Sequence, residues 1–146
     1  MKQTTETIVT AFNAIKTAKL TKMSAGDKFA IIRALRALRP VAEGLGQLAE
    51  EAREKLKPEN FEAIQEMAGR FDSLTDAEKA SVNLAVGEYN RAVNECLRRE
   101  LATEHEISVD PLSEEGFTAL LDSNDFEAGM AALLQDVLCG VGGPKE

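Results

Sequence analysis

Apolar residues recur at alternating steps of four and three from Ile31 through Leu35, Leu38, Ala42, Leu45, Ala49 and Ala52 to Leu56. A helix brings such positions onto one seam, and a seam of this kind buries itself against another helix. The pattern predicts one long helix over 24–56, opened by Ser24 and Asp27 as a shortened capping box. Pro40 falls inside it and removes one backbone hydrogen bond. The apolar register stays in step across Pro40, which predicts a kink rather than a break.

Val82, Val86, Tyr89, Val93 and Cys96 repeat the spacing, after a capping box at Thr75-Asp76-Ala77-Glu78. They predict a second long helix over 76–101, antiparallel to the first. Shorter helices are expected around this pair. One is capped by Thr4 or Thr5, carries Ile8, Phe12 and Ile15, and ends near 19–21. Another follows Pro58 with Phe61, Ile64, Ala68 and Phe71. Ser113 starts a third, bearing Phe117, Leu120 and Leu121, and Phe126 to Val137 form the last. Ile107 and Val109 alternate with polar residues before Pro111, so a short extended segment is expected near 106–110. The fold class is all-α: a single helical domain over 1–139 and a flexible tail over 140–146.

A chain of 146 residues with 44% apolar and 29% charged residues has the composition of an ordinary folded domain. Its longest apolar runs fall well short of the roughly 20 residues a bilayer-crossing helix needs. The N-terminus, Met1 to Glu6, leads into an amphipathic segment and not a signal core. These features give a cytoplasmic protein as the default expectation. Cys96 and Cys139 fit a reducing compartment and are read as buried free thiols.

No motif in the chain carries chemistry. His105 is the sole histidine, and its neighbours Glu104 and Glu106 would diverge on a helix, so no metal site is expected. Gly140, Gly142 and Gly143 follow a helix, the wrong context for a phosphate loop. No serine or cysteine has a base at a recognisable spacing. Acid pairs such as Glu50/Glu51 and Glu114/Glu115 read as solvated helix faces. Catalytic residues, metal and cofactor are therefore all expected to be absent, and the protein is read as non-enzymatic.

Charge is polarised along the chain. Residues 1–40 carry eight Lys/Arg and two acids, a balance of +6, and residues 41–99 carry eight and twelve, or −4. Residues 100–144 hold ten acids and no Lys or Arg, or −10; Lys145 and Glu146 cancel, leaving −8 overall. The candidate interaction residues are the cations Lys16, Lys19, Lys22, Lys28, Arg33, Arg36 and Arg39. The plainer account has this stripe face the acidic segment of its own chain. The functional account is a surface for an acidic protein or a neighbouring subunit. Nucleic acid is disfavoured, because the net charge repels a polyanion. The many 4-3 positions leave room for self-association.

The order of parts carries a resemblance. A short helix holds Ala11-Phe12-Asn13-Ala14-Ile15, and a long helix closes with Glu51-Ala52-Arg53-Glu54-Lys55-Leu56. A later helix holds Tyr89-Asn90-Arg91-Ala92-Val93-Asn94-Glu95 and leads to Glu106-Ile107-Ser108-Val109. Over residues 8–138 this resembles a family of small helical proteins of unknown function encoded by tailed bacteriophages and prophages. The resemblance implies a structural or accessory role in virion assembly, inside a bacterial host, and brings no catalytic or ligand residues. The alternative is a small regulator that binds nucleic acid or an acidic protein through the basic stripe of residues 16–39.

Overall fold

The computed structural model describes residues 1–140 and is all-α, with six α-helices and one two-stranded sheet among them. The order is β1 (Lys2–Thr4), α1 (Thr5–Lys16), α2 (Ala25–Lys55), α3 (Phe61–Gly69), α4 (Asp76–Leu101), β2 (Glu104–Glu106), α5 (Glu114–Ser123) and α6 (Ala128–Leu138). A single 3-10 turn over Phe71–Ser73 joins α3 to α4. Helix α2 runs unbroken through Pro40. Helix α1 stops at Lys16, short of the expected 19–21.

Two compact units make up the chain. One comprises Met1–Leu45 and the chain from Leu101; the other is Gly46–Glu100. The single-domain reading over 1–139 takes in both. Of the expected tail over 140–146, residues 141–146 lie outside the described residues. Gly140 is described and has φ +66°, the left-handed conformation in which glycine closes a helix such as α6 without a Cβ clash.

The first unit has a dense aliphatic core. Ile8 and Ile15 of α1, Ile31 and Leu38 of α2, Leu120 of α5 and Leu134 of α6 are essentially inaccessible to water. Its ends are tied by backbone. Leu112 N–H donates to Leu138 O at 2.8 Å, and Ile107 N–H donates to Met1 O at 2.9 Å. The expected extended segment near 106–110 is displaced: the strand is Glu104–Glu106, and it pairs antiparallel with Lys2–Thr4. Ile107 sits just beyond this ladder and is buried in the core. Its apolarity reports packing, while the strand itself consists of charged and polar residues.

The second unit holds the end of α2 with α3 and α4. Ala49, Ala52, Ile64, Leu74, Val82 and Val93 are its buried apolar residues. The two long helices meet here, where Tyr89 Oη donates to Arg53 O at 2.7 Å. The Phe61 and Tyr89 rings are tilted at 52°, centroids 5.3 Å apart. The capping box at α4 forms as expected: Glu78 N–H donates to Thr75 Oγ1 at 3.2 Å, and Thr75 N–H donates to Glu78 Oε1 at 3.1 Å. These bonds, first from the Thr75 backbone and then its side chain, hold the Glu78 carboxyl below its ordinary range.

The long seam is therefore divided between cores. Ile31, Ala34 and Leu38 belong to the first unit, Ala49 and Ala52 are buried in the second, and Leu56 is exposed. On α4 only Val82 and Val93 are buried; Val86 and Cys96 of the expected stripe are exposed. Cys96 is thus not the buried thiol its spacing suggests. Cys139 is half-buried, and desolvation pushes its thiol pKa up.

Candidate interaction surface

Each of the seven cations singled out from the sequence lies in the first unit, but they do not form one continuous face. Lys16 ends α1 and lies 5.7 Å over the Phe12 ring. Lys19 and Lys22 occupy the loop between α1 and α2, which docks on the turn between α5 and α6. Lys19 N–H donates to Asn124 Oδ1 at 2.8 Å, Asn124 Nδ2 donates back to Lys19 O at 2.7 Å, and Lys22 N–H donates to Ser123 Oγ at 3.0 Å. Asp122 and Asp125 flank that turn in sequence, while the bonds to it are made by the backbone of the two lysines.

Arg33 also turns inward along the surface, with Nε 3.5 Å from Asp110 Oδ2. Both groups are more than half exposed, so the pair sets proximity and adds little stability. Between these two points α5 begins beside α2. A Cβ on Gly116 would lie 2.8 Å from Asp27 Cγ, which is why glycine stands there. The C-terminal segment thus packs against the chain from Lys19 to Arg33, and an ion pair within the chain forms at Arg33.

Lys28, Arg36 and Arg39 are left. They are exposed and make no ion pair among the described residues. Helical geometry places them with two apolar neighbours. At 100° per residue, Phe29, Ile32, Arg36 and Pro40 fall opposite the core-facing Ile31, Ala34 and Leu38, with Lys28 and Arg39 on one flank. Phe29 is 60% exposed and Ile32 38%, the two exposed large apolar side chains among the described residues of this unit. Sequence reading identified the cations but not the two apolar residues among them. Phe29 and Ile32 fall outside the 4-3 seam, and that off-seam placement was the available signal.

The remainder of the first unit offers little chemistry. Thr5 is its one buried polar residue among those described. Its hydroxyl lies 2.7 Å from His105 Nε2 and 3.3 Å from Thr103 O, so it can accept from the ring and donate to the carbonyl. His105 is half-buried against Thr5, not the solvated histidine expected. The terminal amine of Met1 bonds Glu106 Oε1 at 2.6 Å and depresses that carboxyl pKa. Among the described residues no three His, Cys, Asp or Glu converge as a metal site. No described helix is long and apolar enough to cross a membrane. Compared with known proteins, the chain matches no family model, no curated sequence and no solved structure.

Proposed function

We propose that this chain is a non-enzymatic interaction protein whose binding surface is the outward face of the first half of α2. The observation that carries the reading is the grouping of exposed Phe29 and Ile32 with the unpaired cations Lys28, Arg36 and Arg39. Exposed apolar side chains supply contact energy, and surrounding charges select the partner and speed encounter. The cations call for an acidic protein surface. The resemblance to small phage and prophage helical proteins adds the setting: a structural or accessory part in virion assembly.

A second reading has one observation in its favour. An aromatic ring among arginines is also how single-stranded nucleic acid is stacked and held. Glu43 on the same outward face, and a net charge of −8, weigh against it. The two readings separate in a retention assay. Salt-sensitive retention of poly-L-glutamate that is lost in R36E/R39E supports the protein-partner reading. Preferential retention of an oligo-dT strand, lost in F29A, replaces it with the nucleic-acid reading. Co-purification with phage particles or their assembly intermediates tests the setting, and absence from both removes it.

A further inference from the structure

The geometry points to a second copy of this chain as the occupant of the α2 face, engaged through the outward face of its α6. The inference rests on the reading that the α2 face binds protein, and it names the partner. Both faces belong to the first unit, and both turn away from its core. Helix α6 buries Leu134, Val137 and Leu138 and leaves Ala128, Gly129, Ala132, Gln135 and Asp136 exposed, with Glu127 at its start. Neither Glu127 nor Asp136 makes an ion pair among the described residues. One helix thus presents large apolar side chains rimmed by cations. The other presents a flat surface of small residues with Asp136 on it and Glu127 at its N-terminal end.

The dimensions agree. Lys28 to Arg39 spans about 16 Å along α2, and Glu127 to Asp136 about 14 Å along α6, at 1.5 Å per residue. Small residues let a facing helix approach closely enough for Phe29 and Ile32 to be covered. The chain already brings its basic and acidic segments together by charge once, at Arg33 and Asp110. Two outward faces of one unit cannot meet within one chain. Between copies they form a heterologous contact, which propagates into a ring or filament.

The test is sedimentation velocity on the full chain across a concentration series, at about 0.05 M and about 0.5 M salt. The expected result is self-association at low salt that weakens at high salt. F29A, which leaves every charge in place, should weaken it roughly tenfold or more. R36E/R39E and E127K/D136K should each be monomeric alone, because each puts like charges on both faces. Mixed in equal amounts they should associate again. All substituted side chains are exposed, and unchanged far-UV circular dichroism confirms folding. Association that survives in R36E/R39E, or that keeps wild-type strength in F29A, or variants that stay apart when mixed, overturns the inference. Wild-type protein that stays monomeric at about 1 mM and low salt also overturns it. If that monomer still retains poly-L-glutamate through Arg36 and Arg39, the protein-partner reading stands and only the second copy is rejected; if retention fails too, both fall.

Discussion

The two compact units are built from the same kind of helix but differ in how deeply they bury it. In the first, Ile8, Leu38, Leu120, Leu134 and Val137 have no accessible surface at all. In the second the best-buried apolar residue is Val82 at 4%, and alanines supply two of the six buried positions. The end of α2 with α3 and α4 buries fewer large side chains than α1 does with the first part of α2, α5 and α6. Helix length therefore does not measure stability. A segment of α4 spanning 26 residues is held by a thinner core than the 12-residue α1. The thinner unit should open more readily by local unfolding.

The contrast is open to direct attack. Leu134→Ala, in the dense core, should cost about 3–4 kcal/mol in chemical denaturation, because the packed surroundings cannot collapse into the space. Val82→Ala should cost only about 1–2 kcal/mol. Equal losses, although Leu134→Ala removes one carbon more, would mean that the second unit is packed at least as tightly as the first. Gly116→Ala comes next, at about 1–3 kcal/mol, since its Cβ would strike Asp27 Cγ at 2.8 Å and Leu112 Cδ1 at 2.9 Å. Thermal denaturation should register that loss, and an unshifted midpoint would show that Asp27 moves aside freely.

Smaller effects sharpen the picture within the second unit. Tyr89→Phe removes the hydrogen bond to Arg53 O and should cost about 0.5–1.5 kcal/mol. Hydrogen exchange should show the faster opening in residues 46–100 while the amides of α1 and α6 stay protected. Acceleration in α1 as well would mean that the two units unfold together. The smallest effect is pH-dependent. The folded-state pKa of Glu78 is depressed, so its capping contribution is present above the ordinary glutamate pKa and is lost as pH falls through the lower folded value. Thr75→Ala should remove this component; an acid limb of the stability profile identical in wild type and variant would assign it elsewhere.

Much of this organisation is legible in the residues. The capping boxes, the 4-3 spacing and Pro58 place five of the six helices to within a few residues, because these signals are local. The short sheet is not legible. Lys2–Thr4 and Glu104–Glu106 carry no strand pattern, and they pair because α1 and the end of α4 bring them together. The candidate surface divides in the same way. Its seven cations are visible as a stripe, but which of them are already matched depends on where α5 lies.

The sequence by itself determined the helical class, the main helix boundaries and the charge polarity, since periodicity and composition act over a few turns. Tertiary structure decided the rest. It split one continuous seam between two cores, set Arg33 against Asp110, tied the backbone of Lys19 and Lys22 to the turn between α5 and α6, and left Phe29 and Ile32 exposed beside Lys28, Arg36 and Arg39. The physical reason is that burial and charge pairing are properties of neighbours distant in sequence. A helical repeat specifies which side chains share a face, and only packing specifies what that face meets.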